Sequence, residues 1–104
     1  MTVRRRLSNR RASTTFAFRW ASMEFVATIS CFDDGALAEI FLTNGKVNSQ
    51  ADTAARDSAV IGSIALQHGV PIETLRRALL RDSQGRASGP LGVALDLIAG
   101  EVSP

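Results

Sequence analysis

A tight turn between two alternating stretches is the strongest constraint that the sequence places on the fold. The turn is Asp33-Asp34-Gly35, and Asp-Gly supplies the positive φ angles that short hairpin loops require. Residues 23–31 before the turn and residues 38–43 after it alternate between apolar and polar side chains. Alternation with a period of two is typical of strands with one apolar face. The pattern therefore predicts two antiparallel strands joined by a hairpin.

An aromatic stretch before this hairpin predicts a further strand. Phe16, Phe18 and Trp20 alternate with smaller or polar residues, and aromatic residues with a period of two favour a strand over residues 15–20. A short turn at residues 21–22 would return the chain to the next strand. The three strands together form an antiparallel meander with one apolar face to be covered.

Three helical patterns follow the strands. The first covers residues 52–68 and ends at Gly69, the second covers 71–81, and the third covers 90–99. Small residues at Ala59, Gly62, Ser63 and Ala65 would let the first helix lie close to the sheet. The apolar residues expected to be buried in the first helix are Ala54, Val60, Ile61, Ile64 and Ala65. In the two later helices they are Ile72, Leu75, Leu79, Leu91, Ala94, Leu95 and Ile98.

The order β-β-β-α-α-α indicates an α+β fold, with a three-stranded antiparallel meander followed by three helices packed on one sheet face. Residues 1–13 lack apolar periodicity and are expected to be a disordered arginine-rich tail, which leaves 14–104 as a single domain. No apolar run approaches the ~18–20 residues of a membrane span, so a soluble protein without membrane association is predicted. The single cysteine fits a reducing compartment, and the predicted location is cytoplasmic. An open meander has exposed edges, and a homodimer formed through a strand is therefore an expectation.

No arrangement of residues in the sequence points to catalysis. The single cysteine, Cys31, excludes an intramolecular disulfide and a cysteine-based zinc site, and its place on the apolar side of a predicted strand indicates a buried structural residue. His68, the only histidine, falls at a predicted helix C-terminus, where a structural role is expected. Asp33 and Asp34 are explained as turn formers. We therefore predict no catalytic residues, no metal ligands and no cofactor.

Two loops have the composition of an anion site. One contains Asn44-Gly45-Lys46, and the other covers residues 82–90, with several arginines near it and a helix N-terminus at its end. Free amides and the helix dipole attract phosphate at such a terminus, although a solvated linker with capping residues is the simpler interpretation. The residues predicted to bind an anion or nucleotide are Lys46, Arg76, Arg81, Arg86, Ser88 and Gly89.

The N-terminal arginines support a different hypothesis. Residues 1–11 hold five arginines and no acidic residue, and such a tail can neutralise nucleic-acid phosphates. It lacks the interleaved aromatic residues that stack on bases. The alternative prediction is therefore a small nucleic-acid-associated protein that acts through Arg4, Arg5, Arg6, Arg10 and Arg11.

The middle of the chain resembles a known family. The run FVATISCFDDGALAEIFL, the Gly45-Lys46 turn and the run SIALQHGVPIETLRRAL are similar to the TSCPD-type domain. That domain occurs toward the C-terminal part of adenosylcobalamin-dependent (class II) ribonucleotide reductases and as short stand-alone proteins. The resemblance extends over roughly residues 23–99, with Gly89-Pro90-Leu91 similar to the final helix.

The resemblance implies an accessory role. The Thr-Ser-Cys-Pro-Asp string that names the domain is absent, and Cys31 is followed by Phe32. Reductase chemistry needs a radical-bearing cysteine and a redox pair of cysteines in a large barrel, so one cysteine cannot make this chain a ribonucleoside-diphosphate reductase by itself. The implied function is a non-catalytic accessory or regulatory module that binds a partner protein, such as the large subunit of ribonucleotide reductase, or a nucleotide.

Overall fold

The computed structural model describes residues 3–9 and 11–100. One antiparallel sheet has the strand order β1-β2-β3, and three helices follow it along the chain. The strands are β1 (Ser13–Trp20), β2 (Met23–Cys31) and β3 (Leu37–Asn44). The helices are α1 (Gln50–Gln67), α2 (Ile72–Ala78) and α3 (Pro90–Ile98). This order confirms the predicted α+β fold. None of the helices in the described ranges has the length and apolar character needed to cross a membrane.

The β1–β2 hairpin closes through a two-residue turn with an unusual composition. Trp20 pairs with Met23, and the two residues between them, Ala21 and Ser22, have φ angles of 52° and 62°. Positive φ at both central positions defines a type I′ turn, which Asn-Gly usually occupies. Alanine and serine adopt this conformation at a cost of about 1 kcal/mol each.

The β2–β3 hairpin confirms the predicted turn but differs from it in detail. The Gly35 N–H donates to the Phe32 carbonyl at 2.9 Å, and the Phe32 N–H donates to the Ala36 carbonyl at 2.8 Å. Only Gly35 has a positive φ, at 89°, so the loop has three residues and ends in a glycine bulge. The Asp34 carboxylate accepts from the Ala36 N–H at 3.0 Å, which fixes the loop.

A β-bulge corrects the prediction for Cys31. The register of β2 against β3 shifts between Ser30 and Cys31, where Ala38 of β3 has no partner residue on β2, and such a bulge disrupts the regular ladder at that point. Ser30 is buried, whereas Cys31 is exposed. The expectation that Cys31 is a buried structural residue is therefore wrong.

The core lies between the sheet and the helices. The apolar faces predicted for the strands are confirmed, since they supply Phe18, Phe25, Ala27, Ile40 and Leu42. The rings of Phe18 and Phe25 stack with centroids 5.5 Å apart. α3 contributes its predicted core residues Leu91, Ala94 and Leu95. Burying these large side chains supplies most of the favourable free energy of folding.

The predicted buried face of α1 is wrong for the large residues. The helix buries a row of small side chains and one leucine, namely Ala55, Ala59, Gly62, Ser63 and Leu66. Val60, Ile61 and Ile64 are 49%, 68% and 38% exposed. The small residues let the helix approach β3 closely, as predicted, but they do so on the face opposite the aliphatic residues.

Polar side chains of α1 explain why the small face is buried. The Ser63 hydroxyl accepts from the Ile40 N–H at 2.9 Å and donates to the Ile40 carbonyl at 3.0 Å. The Gln67 amide donates to the Ala38 carbonyl at 3.0 Å. These backbone groups lie on the outer edge of β3, where no further strand pairs. α1 therefore closes the β3 edge with its own side chains.

Asp52 closes the same edge at the other end of the helix. Its buried carboxylate accepts from the Asn44 N–H at 2.9 Å and from the Asn48 N–H at 3.1 Å. These two backbone hydrogen bonds, followed by that from Arg56, hold the pKa of Asp52 below its usual value. Ser49 caps the helix by accepting from the Asp52 N–H.

α2 is shorter than predicted. It ends at Ala78, and Leu79 has extended backbone angles of −75° and 149°. Ile72, Leu75 and Leu79 are only partly buried, although they pack against the core as expected. Arg76, which was predicted to bind an anion, has a side chain that is only 12% exposed. Its burial follows from an ionic contact with α3, described below.

Candidate functional site

The structure separates the residues that were predicted to bind an anion. Arg76, Arg81 and Arg86 line one cleft of about 650 Å³ together with Trp20. Ser88 and Gly89 line a different, more apolar cleft of about 280 Å³. Lys46 follows β3 and lines neither of these clefts. Three of the six predicted residues therefore lie together.

The cleft of the three arginines is built around a buried carboxylate. Arg81 binds Asp96 in a bidentate manner, with both N···O distances at 2.8 Å, and Arg76 donates to Asp96 at 2.8 Å. Arg76 also donates to Glu73 at 2.7 Å. The side chain of Asp96 is 8% exposed. We call Arg76, Arg81 and Asp96 the Asp96 cluster.

Several donors of the two arginines in the cluster have hydrogen-bond partners within the fold. Besides its two bonds to Asp96, Arg81 donates to the Gly85 carbonyl at 3.0 Å and to the Arg76 carbonyl at 3.1 Å. Hydrogen bonds from Arg81, opposed by burial, lower the pKa of Asp96 to about 2, and the bonds to Asp96 raise the pKa of both arginines. The cluster ties α2, the following loop and α3 together, and its guanidinium groups already have anionic partners.

Asp82 organises the loop that was predicted to bind an anion. Its carboxylate accepts from the Gln84 N–H at 2.8 Å, from the Arg86 N–H at 3.0 Å and from Arg86 Nε at 3.2 Å. The backbone hydrogen bond from Arg86 is the largest cause of a lowered pKa for Asp82. The amides that a phosphate would use are therefore occupied by a carboxylate of the chain itself.

The same loop covers the first turn of α3. Gly89 caps the helix without a side-chain hydrogen bond, and Pro90 contributes no N–H. Gly92 is buried, and a Cβ atom at that position would lie 2.8 Å from Cβ of Ala87. Glycine is thus required at position 92 so that the loop can pack on the helix.

The N-terminal arginines contact the folded domain. Arg5 stacks over the Phe32 ring at 3.9 Å, donates to Asp34 at 3.1 Å and bonds through its N–H to the Gln67 carbonyl at 2.6 Å. Arg4 donates to the Gln67 side chain at 2.6 Å, and Arg11 donates to Glu39 at 2.8 Å. Arg6 is exposed. Arg10 lies outside the described residues, so its proposed contact with nucleic acid stays a prediction.

The remaining candidate residues do not form a reactive group. His68 caps α1 through its backbone N–H, which bonds to the carbonyls of Ile64 and Ala65 at 3.1 Å. Within residues 3–9 and 11–100, no group of three or more histidine, cysteine, aspartate or glutamate side chains could hold a metal ion.

An apolar cavity of about 550 Å³ lies where the β2–β3 hairpin meets the connection between α1 and α2. Phe32 and Leu37 line it from the hairpin, and Val70 and Ile72 line it from the connection. Arg5 lies at the same cavity, so the N-terminal segment covers part of it. Residues that flank the hairpin turn and the Gly69-Val70-Pro71 connection, both within the runs that carry the family resemblance, thus line the same cavity.

The surface that sequence reasoning missed is the exposed aliphatic part of α1. Val60 and Ile61 lie about one helical turn before Ile64, and all three are on the side facing away from β3; we call them the α1 outer face. A signal for this arrangement was present in the sequence. The small residues 55, 59, 62 and 63, together with Leu66, follow the helical period as well as the aliphatic residues do.

Comparison with known protein families identifies the family of the chain. The family model of the TSCPD domain matches residues 2–99 of this chain. No curated protein and no solved structure matches it. The matched range covers the sheet, all three helices and the segment that contacts them, including the hairpin and the Gly69-Val70-Pro71 connection. The chain therefore belongs to the TSCPD domain family.

Proposed function

We propose that this protein is a non-catalytic module that binds a partner protein through the α1 outer face. The observation that carries the proposal is the exposure of Val60, Ile61 and Ile64, at 49%, 68% and 38%, on the longest helix of the fold. Aliphatic residues spaced three or four positions apart on a helix are the usual anchors when that helix lies in an apolar groove of a partner. Their burial in a complex would be favourable by ~25 cal/mol per Å² of apolar surface.

The partner that we propose is the large subunit of ribonucleotide reductase. TSCPD domains are found in ribonucleotide reductases, and a chain with one cysteine lacks the thiols for that reaction. The module would then act on a reductase and not in place of one. Its docking would make the partner's activity depend on the presence of the module.

The contacts of the arginines favour a protein over a nucleotide as the ligand. The guanidinium groups of the Asp96 cluster bind a buried carboxylate, and Asp82 occupies the amides of the neighbouring loop. A nucleotide phosphate would have to displace these groups. The nucleic-acid alternative is weakened in a similar way, because Arg4, Arg5 and Arg11 have partners in the fold.

The test is binding to the purified large subunit of an adenosylcobalamin-dependent reductase, measured with the wild type and with Ile61→Glu. A glutamate at the centre of the proposed interface should weaken binding by at least about tenfold, because one such substitution commonly costs more than 1.4 kcal/mol. Val47→Glu is the matched control, because Val47 is 65% exposed and lies in the loop before α1. Equal binding by the wild type and Ile61→Glu would contradict the proposed surface.

A second measurement separates the protein ligand from a nucleotide. Thermal unfolding is followed with a panel of nucleoside di- and triphosphates, since a ligand at 100 times its Kd stabilises the fold by about 2.7 kcal/mol. We expect no increase in the unfolding temperature. An increase that is lost in Arg86→Ala would favour the nucleotide-binding alternative.

A further inference from the structure

We propose that this protein forms a homodimer in which the β1 strands of two copies pair antiparallel and join their sheets into one of six strands. The interface is the β1 edge, by which we mean the outward backbone groups of Ser13, Thr15, Ala17 and Arg19. This proposal concerns a surface other than the α1 outer face and does not depend on the function proposed above.

The two edges of the sheet differ in their cover. At the β3 edge, side chains of α1 bond to the backbone of Ala38, Ile40 and Asn44. At the β1 edge, no described residue bonds to the outward backbone groups. Solvent exposure differs in the same way, since one of the eight residues of β1 is buried, whereas five of the eight residues of β3 are buried. A strand with unpaired N–H and C=O groups is a template for another strand.

The hairpin register identifies the outward groups. In a two-residue hairpin the residues that flank the turn, here Trp20 and Met23, form a hydrogen-bonded pair. Hydrogen-bonded pairs recur at every second residue, so Phe18 and Phe16 also bond to β2. The amides and carbonyls of Thr15, Ala17 and Arg19 therefore point away from the sheet.

The sequence of β1 carries none of the usual protection against edge pairing. It contains no lysine and no proline, and Arg19 is its only charged residue. Arg19 is itself paired with Glu24 at 2.6 Å. Monomeric proteins commonly block an exposed edge with charges, proline or a bulge, and the bulge of this sheet lies between β2 and β3 instead.

Charge compatibility points to a second copy as the occupant. When two β1 strands pair antiparallel around Phe16, Arg19 lies opposite Ser13 of the second copy, and Thr15 lies opposite Ala17. No like charges meet in this register, and the outward groups of both strands face each other. Phe16 and Trp20 are only partly buried on the core side, so a neighbouring strand would also cover more of these two rings.

The test is the molar mass in solution at increasing protein concentration, by light scattering or sedimentation equilibrium. We expect a species of twice the 11.1 kDa chain mass. In Ala17→Pro the outward N–H is removed without loss of a bond to β2, because proline is tolerated on an edge strand. This variant should raise the dimer Kd by about tenfold or more. Hydrogen exchange at Thr15, Ala17 and Arg19 should slow as the wild type dimerises.

A second variant covers the possibility that Ala17→Pro perturbs the strand. Ala17→Lys adds to the edge a charge of the kind that blocks strand pairing in monomeric proteins. In the dimer the two substituted positions lie diagonally across the strand pair, about 7–8 Å apart, so this variant should also raise the Kd. Thr43→Lys, at a partly exposed position of β3, is the matched control and should dimerise like the wild type. A monomer at all concentrations would overturn the proposal. So would a dimer that withstands both Ala17 variants, while dependence on Ile61 would assign the interface to the α1 outer face.

Discussion

The two edges of the sheet show two ways of finishing a small meander. At β3, one helix supplies Ser63, Gln67 and Asp52 as hydrogen-bond partners for the strand backbone. At β1, the helices cover only the apolar face, where α3 packs against the strand. The helix that closes an edge must turn its polar and small residues inward. Its aliphatic residues are then left outside, which links the closed edge to the α1 outer face.

The β3 side and the β1 side of the molecule are also stabilised by different kinds of interaction. The β3 side depends on hydrogen bonds between side chains and backbone. On the β1 side, Trp20 at the end of the strand borders the Asp96 cluster, whose ionic bonds join α2 to α3. Removal of either set of contacts should therefore destabilise the fold. Acid should weaken both sides, because the pKa of Asp96 on the β1 side and the pKa of Asp52 on the β3 side lie below the usual value.

Loss of the buried carboxylate on the β1 side should have the largest effect. Asp96→Ala leaves the charges of Arg76 and Arg81 without a partner in a largely buried place, and such losses cost about 3 kcal/mol or more. Urea unfolding should show this decrease in the free energy of unfolding. Glu73→Ala is the control, because Glu73 is exposed and should matter much less. A loss below ~1 kcal/mol for Asp96→Ala would show that solvent screens the cluster.

Acid should reduce the contribution of the Asp96 cluster to the free energy of unfolding. The pKa of Asp96 is about 2 in the fold against a usual value of 3.8, so its contribution is present above about pH 4 and is lost as the pH falls toward 2. The shift corresponds to about 2 kcal/mol. Asp96→Asn does not titrate, so the stability difference between it and the wild type should shrink by this amount from pH 5 to pH 2. A constant difference over that range would contradict the lowered pKa.

On the β3 side, Ser63→Ala should cost about 2 kcal/mol. The substitution leaves the N–H and the carbonyl of Ile40 without their partner in a buried place, and an unsatisfied buried group costs ~1–3 kcal/mol. Ser58→Ala is the matched control on the same helix, because its hydroxyl bonds only to the Ala55 carbonyl. Equal unfolding free energies for the two variants would mean that α1 does not close the β3 edge.

The smallest effect on stability is expected in the turn between β1 and β2, where better-suited residues should stabilise the fold. Ala21→Asn with Ser22→Gly places the preferred residues at the positive φ angles of 52° and 62°, and we expect a gain of about 1 kcal/mol. Gly35→Ala is the opposite control, since its φ of 89° is unfavourable for alanine and should destabilise the fold. A double variant no more stable than the wild type would indicate that the turn is not strained.

Alternation in the sequence predicted the strands well. The predicted ranges differ from β1 and β3 by two residues or fewer at each end, and the Asp33-Asp34-Gly35 turn lies where expected. The reason is local, since the period of two and the turn residues act between neighbours in the chain. Cys31 was misplaced because a bulge depends on the pairing of two strands and leaves no mark on the alternation.

The helix faces and the site residues were harder to predict. Apolar content favoured Val60, Ile61 and Ile64 for the core, and the arginines near residue 82 suggested an anion site. Neither inference included the hydrogen-bond and ion-pair partners of these residues, which lie far away in the chain. Arg81 is 15 positions from Asp96, and Ser63 is 23 positions from Ile40. Which arginines are paired, and which face of α1 is buried, follow from those distant contacts.

The sequence by itself determined the order of the elements, the hairpins, the apolar face of the sheet and the family. It could do so because periodicity, turn residues and caps act over a few neighbouring positions. Only the tertiary structure decided that α1 closes the β3 edge, that Asp96 holds the arginines and that the β1 edge stays open. The physical reason is that each of these depends on satisfying buried polar groups, and a group can be satisfied only by what the fold brings beside it.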